Sequence, residues 1–207
     1  MMLQQDLDIS RENKKLGNIH SFSLPAKASC PGASEWCKVN CYAIGWPLGF
    51  FNKTRYANNY ERSKSRWFEK LMIQRIRLYA NNTKDKYLAF RIHVSGDFYD
   101  NAYIDKWIHI VKASPRVHFF SYTRSWTLPH LFLKLEELRA LPNMQLFASV
   151  DSSIKLNPPP RWRKAWIEDD TRAVGLICPE QVGFKQDCTK CKFCYMGKQG
   201  NVVFKIH

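Results

Sequence analysis

No run of roughly eighteen apolar residues occurs in the chain, which excludes a membrane-spanning helix. The first residues, Met1 to Asp8, are polar and acidic, so no secretory leader is read there and a cytoplasmic location is expected. Glycine is scarce, at nine of 207 residues, and no glycine-rich phosphate loop follows any segment of strand character. No segment repeats, and the only biased tract is Pro158-Pro159-Pro160. Histidine is sparse too: His20, His109, His118 and His130 show no ligand spacing. Acidic residues number 18 against 32 Lys and Arg, a formal charge of +14. That imbalance suits a polyanionic partner, either an anionic small molecule such as a phosphorylated coenzyme or a nucleic acid; a solvated lysine-rich surface explains it equally.

What the chain does have is cysteine, seven in all. In a reducing cytoplasm these are expected as ligands or catalysts rather than disulfides, and the odd total fits ligation better than pairing. Cys188, Cys191 and Cys194 follow C-x2-C-x2-C spacing, and Cys178 precedes Pro179. In ferredoxin-type sites a tight triplet of this kind holds three corners of an iron–sulfur cubane and a remote Cys-Pro supplies the fourth. Zinc is the alternative, less well served by three cysteines within seven residues. A second group, Cys30, Cys37 and Cys41, has C-x6-C-x3-C spacing, and Cys30 also precedes a proline.

The chain reads as one domain, 1–207, with a flexible lead-in over 1–15 and a cysteine-rich segment over 178–207. Strands are expected at 17–24, 87–94, 117–122, 144–150 and 172–177, with a short one within 201–206. Gly45 to Phe51 reads as an aromatic loop. A long basic helix is expected over about 52–81, and further helices over 102–113 and 128–141. Pro158 to Lys164 reads as a break. Alternating strands and helices predict α/β architecture with a parallel sheet: a TIM-barrel-like (β/α) barrel, full or partial, or an open doubly wound sheet as the alternative.

In a barrel of this type chemistry sits at the strand C-terminal ends. There the sequence places the Cys30 group, His93, Ser95, Asp97, Tyr122, Arg124, Asp151 and Cys178. His93, Asp97 and Asp151 are candidate acid/base groups, with Arg124 beside them. Arg91, Ser95 and Tyr122 are candidates for holding an anionic substrate. Each also has an ordinary reading: a hydrogen-bonded core histidine, a helix cap for either aspartate, charge neutralisation for either arginine. Trp107 and Trp126 are expected in the core.

The order Cys30-Pro-Gly-Ala…Cys37…Cys41-Tyr-Ala43, His93-Val-Ser-Gly-Asp-Phe98, Tyr122-Thr-Arg-Ser-Trp126, Ser149-Val-Asp151 and the Cys178 to Cys194 segment resembles the "gene product 88" family of phage and plasmid proteins. The resemblance spans nearly the whole chain and implies a viral or mobile-element origin and a metal or cluster site. A looser similarity is to radical S-adenosylmethionine barrel enzymes, which place a cysteine triad after the first strand. Here Cys30, Cys37 and Cys41 take that place, with x6 and x3 spacing instead of that family's x3 and x2, and no glycine-rich cofactor segment follows.

Two arrangements remain open. Either Cys178, Cys188, Cys191 and Cys194 hold one [4Fe-4S] cluster while Cys30, Cys37 and Cys41 form a separate open site, or one cluster draws on both groups. The expected function is an iron–sulfur enzyme, hydrolytic or redox. The alternatives are a nucleic-acid-binding module with structural zinc or cluster, a radical enzyme, and an electron carrier. No membrane role is expected, and the sequence names no protein partner.

Overall fold

The computed structural model describes residues 7–11, 13–45, 48–83, 87–184, 187–197 and 199–206, with side chains at 48–51 left aside. The strands are β1 (Ile9–Ser10), β2 (His20–Phe22), β3 (Ala89–Ile92), β4 (His118–Thr123), β5 (Met144–Val150), β6 (Arg163–Ile167), β7 (Leu176–Ile177) and β8 (Val202–Phe204). The helices are α1 (Glu35–Val39), α2 (Leu48–Lys64), α3 (Phe68–Asn82), α4 (Asn101–Lys112), α5 (Pro129–Arg139) and α6 (Cys188–Cys191). All eight strands join one sheet in the order β1-β2-β3-β4-β5-β6-β8-β7. Every pairing is parallel except that of β1 with β2.

The expected barrel is therefore corrected to an open, mostly parallel sheet. Closure would require pairing between β1 and β7, but these two-residue strands stand at opposite edges. The sequential order of β2 to β6 means that successive right-handed crossovers lay their helices on one face. That face holds the main core. Phe22, Phe90, Ile92, Phe119, Leu146, Ala148 and Val150 point from the strands toward Phe68, Met72, Trp107, Leu131 and Leu135 on the helices.

Alternation sends the intervening residues to the other face, where the C-terminal segment covers them. Ala89 and Phe120 pack with Leu16, Ile19 and Tyr195, while Phe147, Ala165 and Val202 pack with Cys178, Phe193 and Cys194.

Four local expectations change. The long basic helix divides at residues 65–67, where Lys106 Nζ donates to the carbonyls of Ser63, Lys64 and Ser65 at 2.7, 3.1 and 3.1 Å and caps the end of α2. The lead-in carries β1, with Leu7 buried; residues 1–6 and 12 lie outside the described ones. The expected break at Pro158 to Lys164 runs into β6, a central strand whose charged Arg163 faces the cysteine-rich segment rather than water. The aromatic loop of 45–51 gives way to α2 from Leu48, while Trp46 and Pro47 lie outside the described residues. Among the described residues no helix is long and apolar enough to cross a membrane.

Candidate metal centre

The loop after β2 is folded tightly onto the ends of its neighbours. Cys30 N–H donates to Lys27 O at 3.1 Å, and Ala33 N–H to Cys30 O at 3.1 Å. Gly32 lies so near Arg124 that a Cβ there would meet the Arg124 carbonyl oxygen at 2.6 Å, which explains glycine after Cys30-Pro31. Ser34 caps α1 by accepting from Cys37 N–H at 3.1 Å and donates its own hydroxyl to Asp151 Oδ2 at 2.6 Å. Trp36 N–H donates to Ser153 Oγ at 3.2 Å.

These bonds hold Cys30, Cys37 and Cys41 together beside Asp97, Arg124 and Asp151. Burial pushes the Cys30 thiol up to about 12, with Asp97 and then Cys37 and Cys41 adding to the rise against the bond to Lys27. Cys37 is also raised, by burial first, against the attraction of Arg124.

The two aspartates are fully engaged. Asp97 accepts at Oδ1 from Phe98 N–H (2.7 Å) and at Oδ2 from Arg124 N–H (2.8 Å) and Ser125 N–H (3.3 Å), locking the β3–α4 loop to the end of β4. Burial raises its pKa against the hydrogen bonds from Thr123, Arg124 and Phe98. Asp151 accepts from Arg124 Nε at 2.9 Å, from Ser34, and from Ser153 N–H (3.1 Å) and Oγ–H (2.7 Å). Burial raises this carboxyl, but the bonds from Ser34, Ser153 and Arg124 outweigh it and hold it below the usual range. Arg124 is thus committed to Asp151. Its roles and those of both aspartates read as construction of the strand-end loops.

His93 is not brought to the thiols. Its φ of 63° turns the ring toward the helix layer, where Nε2 meets Tyr103 Oη at 2.8 Å among Phe98, Tyr103 and Trp107. Burial, with a smaller push from Arg91, depresses its pKa to about 3. Ser95 is buried in the same turn and its hydroxyl has no partner; Gly96, at φ 84°, packs against Leu24 and Ser29.

Arg91 and Tyr122 go to the other face and belong to the second cysteine group. Cys178 follows β7, its N–H bonded to Val203 O at 2.9 Å. Asp187 caps the single turn of α6, accepting from Thr189 N–H and Lys190 N–H, and Cys188 N–H donates to Lys15 O at 2.8 Å. Lys192, left-handed at φ 60°, then reverses the chain so that Cys188, Cys191 and Cys194 wrap one space.

All four thiols line a single cavity with Lys15, Arg91, Phe120, Tyr122, Phe193, Tyr195 and Phe204. The Arg91 guanidinium lies 5.0 Å from the Tyr122 ring centre. Burial raises Cys188 to about 12 against the pull of Arg91 and Lys15, and Cys194 to about 11 against a Tyr122 hydrogen bond and Arg163.

Arg163 is one residue that sequence reasoning missed. It lies 4.2 Å from the Phe147 ring centre and 4.9 Å from that of Phe193, and donates to Gly200 O (2.8 Å), Phe193 O (3.2 Å) and Gln145 Oε1 (3.1 Å). It pins the Cys191–Cys194 turn to the sheet. A basic residue after three prolines carried no such signal. Ser34 was also missed, although serine one residue before Glu35 is a recognisable helix cap.

All seven cysteines are free thiols. Buried thiols with raised pKa values become thiolates when a metal cation replaces the lost proton. Among the described residues no three His, Cys, Asp or Glu side chains form a set that could hold a single metal ion as packed. A tetrahedral zinc site needs such a set drawn together at about 2.3 Å from the ion. A cubane needs four thiolates spaced around a larger group, so the thiols as packed are drawn together for neither. The cavity is about 20 Å³, roughly room for a water, so a larger group does not fit among the four cysteines as packed.

The motifs that meet at the strand ends and on the sheet face fall within residues 2–197, the span matched by the profile of the family described as Gene product 88. The chain belongs to the gene product 88 family. It is 29% identical to the Gene 88 protein of Mycobacterium phage L5 over 152 residues, and 30% identical to that of Mycobacterium phage D29 over 152 residues. Each alignment covers 67% of this chain and 60% of the phage protein, so the chain spans less than two thirds of the length of these relatives. The family is thus one with bacteriophage members. No solved structure matches the chain.

Proposed function

We propose that this gene product 88 family member is an iron–sulfur protein of redox function. In this reading Cys178, Cys188, Cys191 and Cys194 hold a [4Fe-4S] cluster against the sheet. Cys30, Cys37 and Cys41 form a separate three-thiol site at the strand ends. The observation that carries the reading is the convergence of four cysteines, from two chain segments, on one cavity lined by Lys15 and Arg91.

When bound, such a group supplies one-electron transfer, and a three-thiol site leaves one iron open to a small ligand. Lys15, Arg91 and Arg163 offset the charge of the thiolates. Tyr122 donates toward Cys194, and donors to cluster sulfurs set potential. Phe120, Phe193, Tyr195 and Phe204 exclude water from that face. Redox chemistry is favoured over hydrolysis because Asp97 and Asp151 are committed to loop hydrogen bonds and His93 is buried among aromatic rings. The setting that suits it is a reducing host cytoplasm, where these thiols stay unpaired.

Purification without oxygen, followed by iron, sulfide and zinc analysis and electron paramagnetic resonance of the reduced protein, tests the proposal. About four irons and four sulfides per chain are expected from the C-terminal set, and about eight of each if both sets load. Cys194→Ser should abolish the C-terminal centre, whereas Cys37→Ser should leave it intact. Zinc without sulfide, or retention of a full cluster in Cys194→Ser, overturns the proposal.

A further inference from the structure

At the far end of β2 from Cys30 lies a groove of about 960 Å³ between the β1–β2 edge and α3. The residues that give it character are Arg11, His20, Arg62, Arg75, Tyr79 and Tyr87. Its floor is aromatic: the rings of His20 and Tyr79 stack with centres 3.7 Å apart and planes 15° from parallel. The Tyr79 hydroxyl donates to Ala89 O at 3.2 Å, which fixes that ring across the edge of the sheet. Burial, aided by Arg11, lowers the pKa of His20 to about 4, so at neutral pH the stacked pair is an uncharged π surface. Asp8, a carboxylate in the lining, is already paired with Arg55 (Oδ2 to Nε, 2.7 Å). Arg62 also faces Asp8, and Arg11 and Arg75 complete the cationic lining beside the rings.

Flat uncharged rings beside guanidinium groups are the two elements that grip unpaired nucleotides: bases stack on the rings while cations follow the phosphates. A duplex hides its base faces and cannot use the rings. The volume lies at the upper end of the range for small-ligand sites, which favours more than one nucleotide. We infer that this groove binds a single-stranded stretch of nucleic acid, with His20 and Tyr79 as the stacking platform and Arg11, Arg62 and Arg75 on the phosphates. No cysteine lines the groove; the cysteine-rich segment contributes only Thr189 and Tyr195 to its wall.

The test is fluorescence anisotropy with a labelled oligothymidine of about twenty nucleotides, its duplex, and a mononucleotide competitor. With about three phosphate contacts, affinity for the single strand should fall roughly tenfold to twentyfold between about 50 and 200 mM salt. His20→Ala should weaken binding at least about fivefold through lost stacking, while Tyr79→Phe, which keeps the ring, should stay within about twofold. Arg75→Gln should weaken binding and flatten the salt dependence. The paired control Arg66→Gln/Lys70→Gln removes two charges from α2–α3 positions outside the groove lining and should have the smaller effect. No binding at low salt overturns the inference. So does equal affinity for the duplex, a control that weakens binding as much as the groove variants, or full competition by the mononucleotide.

Discussion

The two faces of the sheet are built from the same strands by opposite means. The helix face is closed by apolar burial. Trp107 alone has ring contacts with Phe22, Phe68, Phe90 and Tyr103, at 6.0, 5.9, 6.2 and 6.2 Å between centres. The cysteine face receives Ala89, Arg91, Tyr122 and Arg163 from the same alternating strands, and its cover has one helix of four residues. Short segments with little regular structure pack little apolar area and are normally secured by cross-links or metal. The difference teaches where a metal would matter: the helix face has no need of one, whereas the cysteine face is held by polar staples and a set of thiols.

The largest break in that comparison is Trp107→Ala. Removing a fully buried indole should cost about 3–5 kcal/mol, whether or not metal is bound. Urea unfolding of loaded and metal-free protein checks this; a loss that depends on metal would mean that the two faces are not independent. Arg163→Ala comes next. It removes a guanidinium held between two rings and four acceptors, the Cys194 carbonyl among them, for an expected cost of about 2 kcal/mol. Its effect should concentrate in the 188–197 segment, seen as faster proteolysis there and as weaker retention of the proposed cluster. Arg163→Lys should restore only part, because an ammonium cannot both stack and serve that fork of acceptors. Uniform destabilisation with no local loosening would remove the staple from the account.

How much of this was legible in sequence divides along the same line. The helix face was readable because apolar periodicity reports directly on burial: β3, β4, β5, α4 and α5 fall where alternation and the helical repeat place them. β6 was not, because Arg163 and Lys164 look solvent-facing until Phe147 and Phe193 are known to bracket the guanidinium. Closure of the sheet was beyond reach for a related reason. Periodicity reports which face of a strand is buried, not whether the edge strands find each other, and β1 and β7 do not. At the site, cysteine spacing marked out two groups, and packing places Cys178, Cys188, Cys191 and Cys194 along one cavity. The residues His93, Asp97 and Asp151 look alike in sequence as polar groups after strands. Only their contacts separate a core histidine from two carboxylates that hold loops.

His93 also supplies the smallest test, one confined to the helix face. In the fold it is neutral, with a pKa near 3, while an unfolded histidine titrates near about 6.5. The unfolded state therefore binds the extra proton first as pH falls. The contribution of the neutral ring is complete above the unfolded value and is lost progressively between about 6.5 and 3. From pH about 7.5 to about 6 the loss should be about 1 kcal/mol. His93→Gln removes the titrating group, so its stability should change less over that interval than the wild type's, whatever its absolute value. Because His93 meets Tyr103, not a thiol, metal content over the same interval should be equal in the two proteins. A variant that loses metal as its pH response flattens would place His93 in the business of the cysteine face, and the separation of the two faces would fail.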